Sequence, residues 1–144
     1  MKWDGKNERL EWTEEYNIDN QKMDEEHKKL FEIASKANNV NKISNPKEKE
    51  EYLRTVCMEL YREIRKHFNN EEEYMKFHHY PNTQAHQVFH ETLLDKINFI
   101  MVNINITGTS TAHHKLYYFM QKIYLEHVLK EDIKISQFIS NKRE

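Results

Sequence analysis

Seven residues in this sequence have side chains that can act together in coordination chemistry: His27, His67, Glu71, His86, His90, His127 and Asp132. His67 and Glu71 are four apart, within Lys66-His67-Phe68-Asn69-Asn70-Glu71. On a helix that spacing stacks an imidazole and a carboxylate on one face, where the pair can hold a transition metal. The same face carries Leu53, Val56 or Cys57, Leu60 and Ile64. The pair therefore sits on an apolar stripe, where an unpaired charge is costly and needs compensation from inside. His86 and His90 repeat the four-residue step. His127 and Asp132 are five apart, about 140° around an ideal helix. Asp132 must reach in from the edge of its stripe, or the helix must deform there.

Four amphipathic helices position these groups. The first covers about Asn20 to Asn38, with a stripe of Met23, His27, Leu30 or Phe31, Ala34 and Ala37. Asn17, Asp19 or Asn20 can cap it, and Asp24 to Glu26 suit a helix start. Ser44-Asn45-Pro46 starts the second helix, which runs to about Phe77 and stops before Pro81. Asn82 or Thr83 caps the third, which carries His86, His90, Leu93 or Leu94, Ile97, Ile100 or Met101, and Ile104. Thr107 to Ser110 forms the last loop. The fourth helix runs from about Thr111 to Phe138, with Leu116, Phe119 or Met120, Ile123 and His127 on one side. The pattern is all-α: an up-down-up-down antiparallel four-helix bundle in a single domain, residues 19–140. Residues 1–18 read as an N-terminal extended arm whose aromatics pack across the bundle, and Asn141 to Glu144 as a frayed tail. In such a bundle the starts of odd helices and the ends of even helices share one end, so all seven groups converge there.

Five imidazoles and two carboxylates exceed what one metal ion accepts, but two ions can share them if the carboxylates bridge. Imidazole suits iron, zinc, copper and nickel; two bridging carboxylates favour a di-iron centre. Few anionic ligands stabilise high-valent metal weakly, which argues for binding oxygen over activating it. The paired Glu-x-x-His motifs of oxygen-activating bundles are absent. A purely structural bundle would leave Glu71 and Asp132 buried without partners. His78, His79, His113 and His114 read as surface or loop residues, and Cys57 as a buried, inert thiol.

Composition narrows the function classes. The 144 residues suffice for one core, and two glycines and two prolines favour long helices. A net charge of −2 gives no case for nucleic acid or an anionic membrane. No apolar run approaches a membrane span and no secretory signal opens the chain, so a cytoplasmic location is expected. The single cysteine excludes an internal disulfide. No outward apolar patch stands out, so a monomer is expected. No acid/base pair stands beside the seven donors, so a binding protein is expected before an enzyme.

The matching segments Met23-Asp24-Glu25-Glu26-His27-Lys28-Lys29-Leu30-Phe31, His67-Phe68-Asn69-Asn70-Glu71-Glu72, His86-x3-His90 and His127-x4-Asp132 resemble the hemerythrin family. Trp12 and the Tyr80-Pro81 turn fit too. The resemblance implies reversible O2 binding at two iron ions cycling between Fe2+ and Fe3+, joined by an oxo or hydroxo bridge. It assigns His86, His90 and His127 to one iron, His27 and His67 to the other, and Glu71 and Asp132 to both. It also carries the same five-residue step before the final aspartate. A carrier or store is expected if the chain is complete. The alternatives are a sensor of oxygen, redox state or iron, and a handler of peroxide or nitric oxide at the same site. Leu30, Phe68 and Val128 lie one helical step from ligands and should line a dry O2 pocket. The family often has an aliphatic residue three before the last histidine; here it is Tyr124. Its hydroxyl either reaches the pocket or packs at a helix interface facing solvent.

Overall fold

A computed structural model describes residues 12–18 and 20–143 of the chain, and among them there is no strand. Helix α1 spans Gln21–Ser35 and continues into a 3-10 stretch, Lys36–Lys42. Of the cap candidates, Asn20 does the work: its side chain accepts the Met23 N–H at 3.1 Å. Asp19 lies outside the described residues. The Asp24 carboxylate accepts the N–H groups of Ile18 and Asn20, which ties the incoming chain to the first turn. Helix α2 spans Pro46–Phe77. Asn45 accepts the N–H groups of Lys47 and Glu48, and Pro46 has no N–H to leave unsatisfied.

The end of α2 is sharply built. His79 turns the chain at φ 55°, its N–H donating to the Lys76 carbonyl, while the Tyr80 N–H reaches back to that of Met75 at 2.9 Å. This is a Schellman stop with a histidine where glycine is usual. Helix α3 spans Thr83–Val102. Neither expected residue caps it: the Asn82 side chain makes no cap bond, and the Thr83 hydroxyl donates to the Tyr80 carbonyl instead. One further helical turn, Ile104–Thr107, leads to Gly108. The expected loop at 107–110 thus shrinks to this one residue, whose φ of 86° an L side chain rarely adopts.

Helix α4 covers 109–143 and is not uniform. It runs as α-helix over Thr109–Tyr118, π-helix over Phe119–Tyr124, α-helix over Leu125–His127, π-helix over Val128–Asp132, and α-helix over Ile133–Arg143. It starts earlier than expected, and the stretch 141–143 continues the helix.

Contacts at the helix ends fix the topology. His27 near the start of α1 meets Asp132 late in α4, and Glu71 late in α2 meets His86 at the start of α3. At the other end Asn38 meets His113 at 3.2 Å. The bundle is up-down-up-down and antiparallel, as the periodicity required. Leu53, Cys57, Leu60 and Ile64 from α2 pack with Leu30 and Phe31, Leu93 and Ile97, and Leu116 and Phe119 in one continuous core. A second, small core of Met75, Tyr80, Ile135 and Ile139 lies beyond Glu71 and Asp132. From the arm, Trp12 sets its ring edge-on to Phe31 at 5.5 Å, and the Tyr16 hydroxyl donates to Gln121. A 3-10 turn, Glu14–Tyr16, interrupts the extended arm. Trp3 and Leu10 lie outside the described residues. Cys57 is buried, and burial pushes its thiol up to about 12, which makes it unreactive.

His78 and His79 lie in the turn after α2, and His113 and His114 are half-buried near the start of α4. One expectation is corrected. An outward apolar row does exist: Val88, Phe99 and Val102 share the outer face of α3, followed by Ile106, because they fall off the stripe that buries His86, His90, Leu93 and Ile97. Phe99 and Val102 are 59% and 55% exposed. The basis for expecting a monomer is thereby removed.

Leu60 is fully buried in the middle of α2. Leu60→Ala should lower the unfolding free energy by about 2–5 kcal/mol, read from urea melts.

Candidate metal centre

The five-residue step is resolved by the backbone. In Val128–Asp132 each N–H donates to the carbonyl five residues back in place of four, so residues five apart come nearer to one face. Asp132 enters the core because α4 deforms there, the second of the two routes the spacing left open. Two α-helices deliver the rest by the ordinary four-residue step: His67 and Glu71 from α2, His86 and His90 from α3. Helix α1 contributes His27.

All seven side chains are buried, Asp132 at 0% exposure. Their ligand-capable atoms form two groups, each with every atom within 4.8 Å of the others. One group comprises Glu71, His86, His90, His127 and Asp132; the other His27, His67, Glu71 and Asp132. The two carboxylates belong to both. His27 Nε2 lies 3.0 Å from Asp132 Oδ2, and His86 Nε2 lies 2.8 Å from Glu71 Oε1 and 3.1 Å from Asp132 Oδ1.

Other contacts are close but wrongly angled for hydrogen bonds. His67 Nε2 is 3.4 Å from Glu71 Oε2, His90 Nε2 is 3.1 Å from Glu71 Oε1, and His127 Nε2 is 3.2 Å from Asp132 Oδ1. Yet His67 Nε2, His90 Nε2, His127 Nε2 and Glu71 Oε2 are buried without a hydrogen-bond partner. Orphaned lone pairs at this density are rare in a folded core. Imidazole and carboxylate donors converging in this way fit metal ions, and the shared carboxylates fit two.

An outer layer orients the donors: the imidazole N–H groups need such partners, but the sequence alone does not name them. A carboxylate can only accept, so His90 Nδ1–H donates to Glu72 Oε2 at 2.8 Å, and His67 Nδ1–H donates to Glu26 Oε2. Each bond turns the opposite nitrogen, Nε2, toward the centre. Glu26 and Glu72 each adjoin a donor in sequence, which is the signal that was available. The Phe89 ring, which the sequence reading missed, stacks on His127 with centroids 4.6 Å apart. It borders a cleft of about 570 Å³ between α3 and α4 that reaches His86 and His127.

The expected pocket residues are all inside. Leu30, Phe68, Tyr124 and Val128 are buried, and the Phe68 ring lies flat on His90 at 3.7 Å. Tyr124 is 0% exposed, so its hydroxyl does not face solvent. Its ring stands 6.3 Å from those of His27 and Phe31 and 6.2 Å from those of Phe68 and Phe119. Burial, with the Asp132, Glu71 and Glu26 charges added, pushes this hydroxyl well above its ordinary range, so it stays a neutral donor.

Electrostatics in the metal-free protein follow from the packing. Burial opposes charging His67, but Glu26 and Glu71 prevail and raise it from 6.5 to about 10. Burial likewise opposes charging His86, and Asp132 and Glu71 raise it to about 9. Burial and the Asp132 charge push Glu71 up, but His67, His86 and His90 outweigh them and leave it lowered. Burial pushes Asp132 up, and His127, His27 and His86 bring it well below its usual range.

Fold and site together define a metal-binding helical bundle. The chain is 30% identical over 127 residues to a bacteriohemerythrin of Campylobacter jejuni, covering 88% of this chain and 92% of that protein. It is 28% identical over 122 residues to a bacteriohemerythrin of Clostridium acetobutylicum, covering 84% and 94%. No family model and no solved structure was found to match. The chain belongs to the hemerythrin family.

Two outcomes are expected. The folded state of the metal-free protein holds protons on His67 and His86 more tightly than the unfolded chain does. That stabilisation is complete below pH 6.5 and is lost as the pH rises through about 9 and about 10. The melting temperature of metal-free protein should fall over that window, whereas metal affinity should rise with pH, because ligation needs neutral imidazoles. Glu72→Gln should weaken metal binding about 10- to 100-fold in a chelator competition, since it loosens His90.

Proposed function

We propose that this chain binds dioxygen reversibly, as a carrier or store, at a di-iron centre made by its seven buried donors. The observation that carries the reading is the unequal sharing of donors. Glu71 and Asp132 are common to a five-donor group and a four-donor group. His86, His90 and His127 would hold one iron and His27 and His67 the other, with both carboxylates and an oxo or hydroxo group bridging. The four-donor group would leave more room for an exogenous ligand than the five-donor group. The irons would supply the electrons that dioxygen takes up on binding and returns on release.

The chain's own residues do the rest. Leu30, Phe68 and Val128 present buried apolar walls that keep water from the centre. Glu26 and Glu72 hold His67 and His90 in the tautomer that keeps Nε2 free for metal. Phe68, flat against His90, and Phe89, flat against His127, fix those rings from the side. The relatives' name, bacteriohemerythrin, supports iron and O2 as the ligands.

The test is purification with iron quantified, reduction without air, and exposure to O2. Two irons per chain and a near-ultraviolet and visible band that appears with O2 and vanishes on its removal are expected. Immediate irreversible oxidation would replace the carrier reading with redox sensing at the same centre. Zinc in place of iron would overturn the choice of metal. Glu71→Ala should take up less than two irons per chain, because it removes a donor common to both groups.

A further inference from the structure

Tyr124 presents a hydroxyl that the protein itself does not use. The side chain is fully buried, packed among Phe31, Phe68 and Phe119, and its oxygen has no hydrogen-bond partner. A buried hydroxyl without a partner is unfavourable, and phenylalanine would fill the same space without that cost. The position is also specific. Tyr124 closes the first π-helical stretch of α4, one short α-helical stretch before His127, and its ring stands beside His27. His27 belongs to the four-donor group, the one with a donor fewer than its neighbour. An unpartnered donor therefore stands in the ring shell of the group with fewer protein donors.

We infer that the Tyr124 hydroxyl is a ligand-gripping residue: it donates a hydrogen bond to a small acceptor ligand held at the His27–His67 side of the centre. This rests on the di-iron reading above and adds selectivity to it. Ligands with a lone pair on the outer atom, dioxygen or a small linear anion, gain the bond and leave slowly; ligands without one gain nothing. The residue acts by its O–H alone, so phenylalanine and leucine should be equivalent at this position in ligand retention although they differ in volume.

Azide serves as the probe, because its binding to the ferric protein does not depend on reversible O2 binding. Wild type, Tyr124→Phe and Tyr124→Leu are loaded with iron, oxidised and titrated with azide, followed by the visible band. Azide affinity should fall about tenfold in both variants, the loss of one hydrogen bond to a charged acceptor. In parallel, metal-free wild type and Tyr124→Phe are melted. The variant should melt at the same temperature or higher, since no protein partner is lost. Equal azide affinities in protein carrying two irons overturn this inference and leave the di-iron reading intact; that result would also be seen if a resident water were the hydroxyl's partner. A lower melting temperature for metal-free Tyr124→Phe overturns it as well, by revealing a structural bond. Failure of wild type to take up two irons overturns the di-iron reading and this inference with it.

Discussion

Two carboxylates close together inside a helical bundle are the constraint to which the rest of this structure answers. Glu71 and Asp132 are both buried, with ligand atoms in one group spanning no more than 4.8 Å. At that separation two negative charges repel by about 3 kcal/mol at an effective dielectric of about 20. Water cannot relieve this, and the hydrophobic core on either side cannot. Five imidazoles gather around them from all four helices, protonated in part when no metal is present. Positive charge has to be supplied at this point, by protons or by metal ions, for the fold to close.

Delivery of these groups was legible in the sequence to the extent that the helices are regular. His67 with Glu71 and His86 with His90 declare themselves by the four-residue step, and the alternation of helix starts and ends sends them to one end. Asp132 was visible as a residue type but not as a position, because no α-helical period puts it beside His127. Its placement depends on a π-helical backbone, and a hydrophobic stripe does not encode where a ladder shifts. Caps followed the same division: Asn20 and Asn45 act as expected, whereas the start of α3 takes its bond from Thr83 to Tyr80. Glu26 read as a helix-start acid and Glu72 carried no assignment, since only the neighbouring helix shows that they face an imidazole. The outward row on α3 was hidden for the same reason: residues just off a stripe look like part of it until the packing is seen.

The donors are not held equally. His67 and His90 are each tied to an outer carboxylate, which fixes the ring and sharpens the basicity of its inner nitrogen. His27 and His127 have buried Nδ1 atoms with no such partner. Their rings are positioned by aromatic packing instead, His127 under Phe89 and His27 between His67 and Tyr124. Each ligand set therefore has one imidazole locked by charge and one by shape. The π-helical stretches flank the segment that carries His127, so this shape-locked donor also sits on the least regular backbone.

The small core beyond the centre gives this arrangement a mechanical meaning. Met75, Tyr80, Ile135 and Ile139 are a thin apolar plug, separated from the main core by the seven polar side chains. The centre is thus a keystone set between two masses of unequal size. Whatever changes its bonding changes how firmly the thin end is clamped, and that end carries the Schellman turn at His79 and the final turns of α4. Bonding at the centre is in this way coupled to one pole of the molecule, while the large core packs the opposite pole.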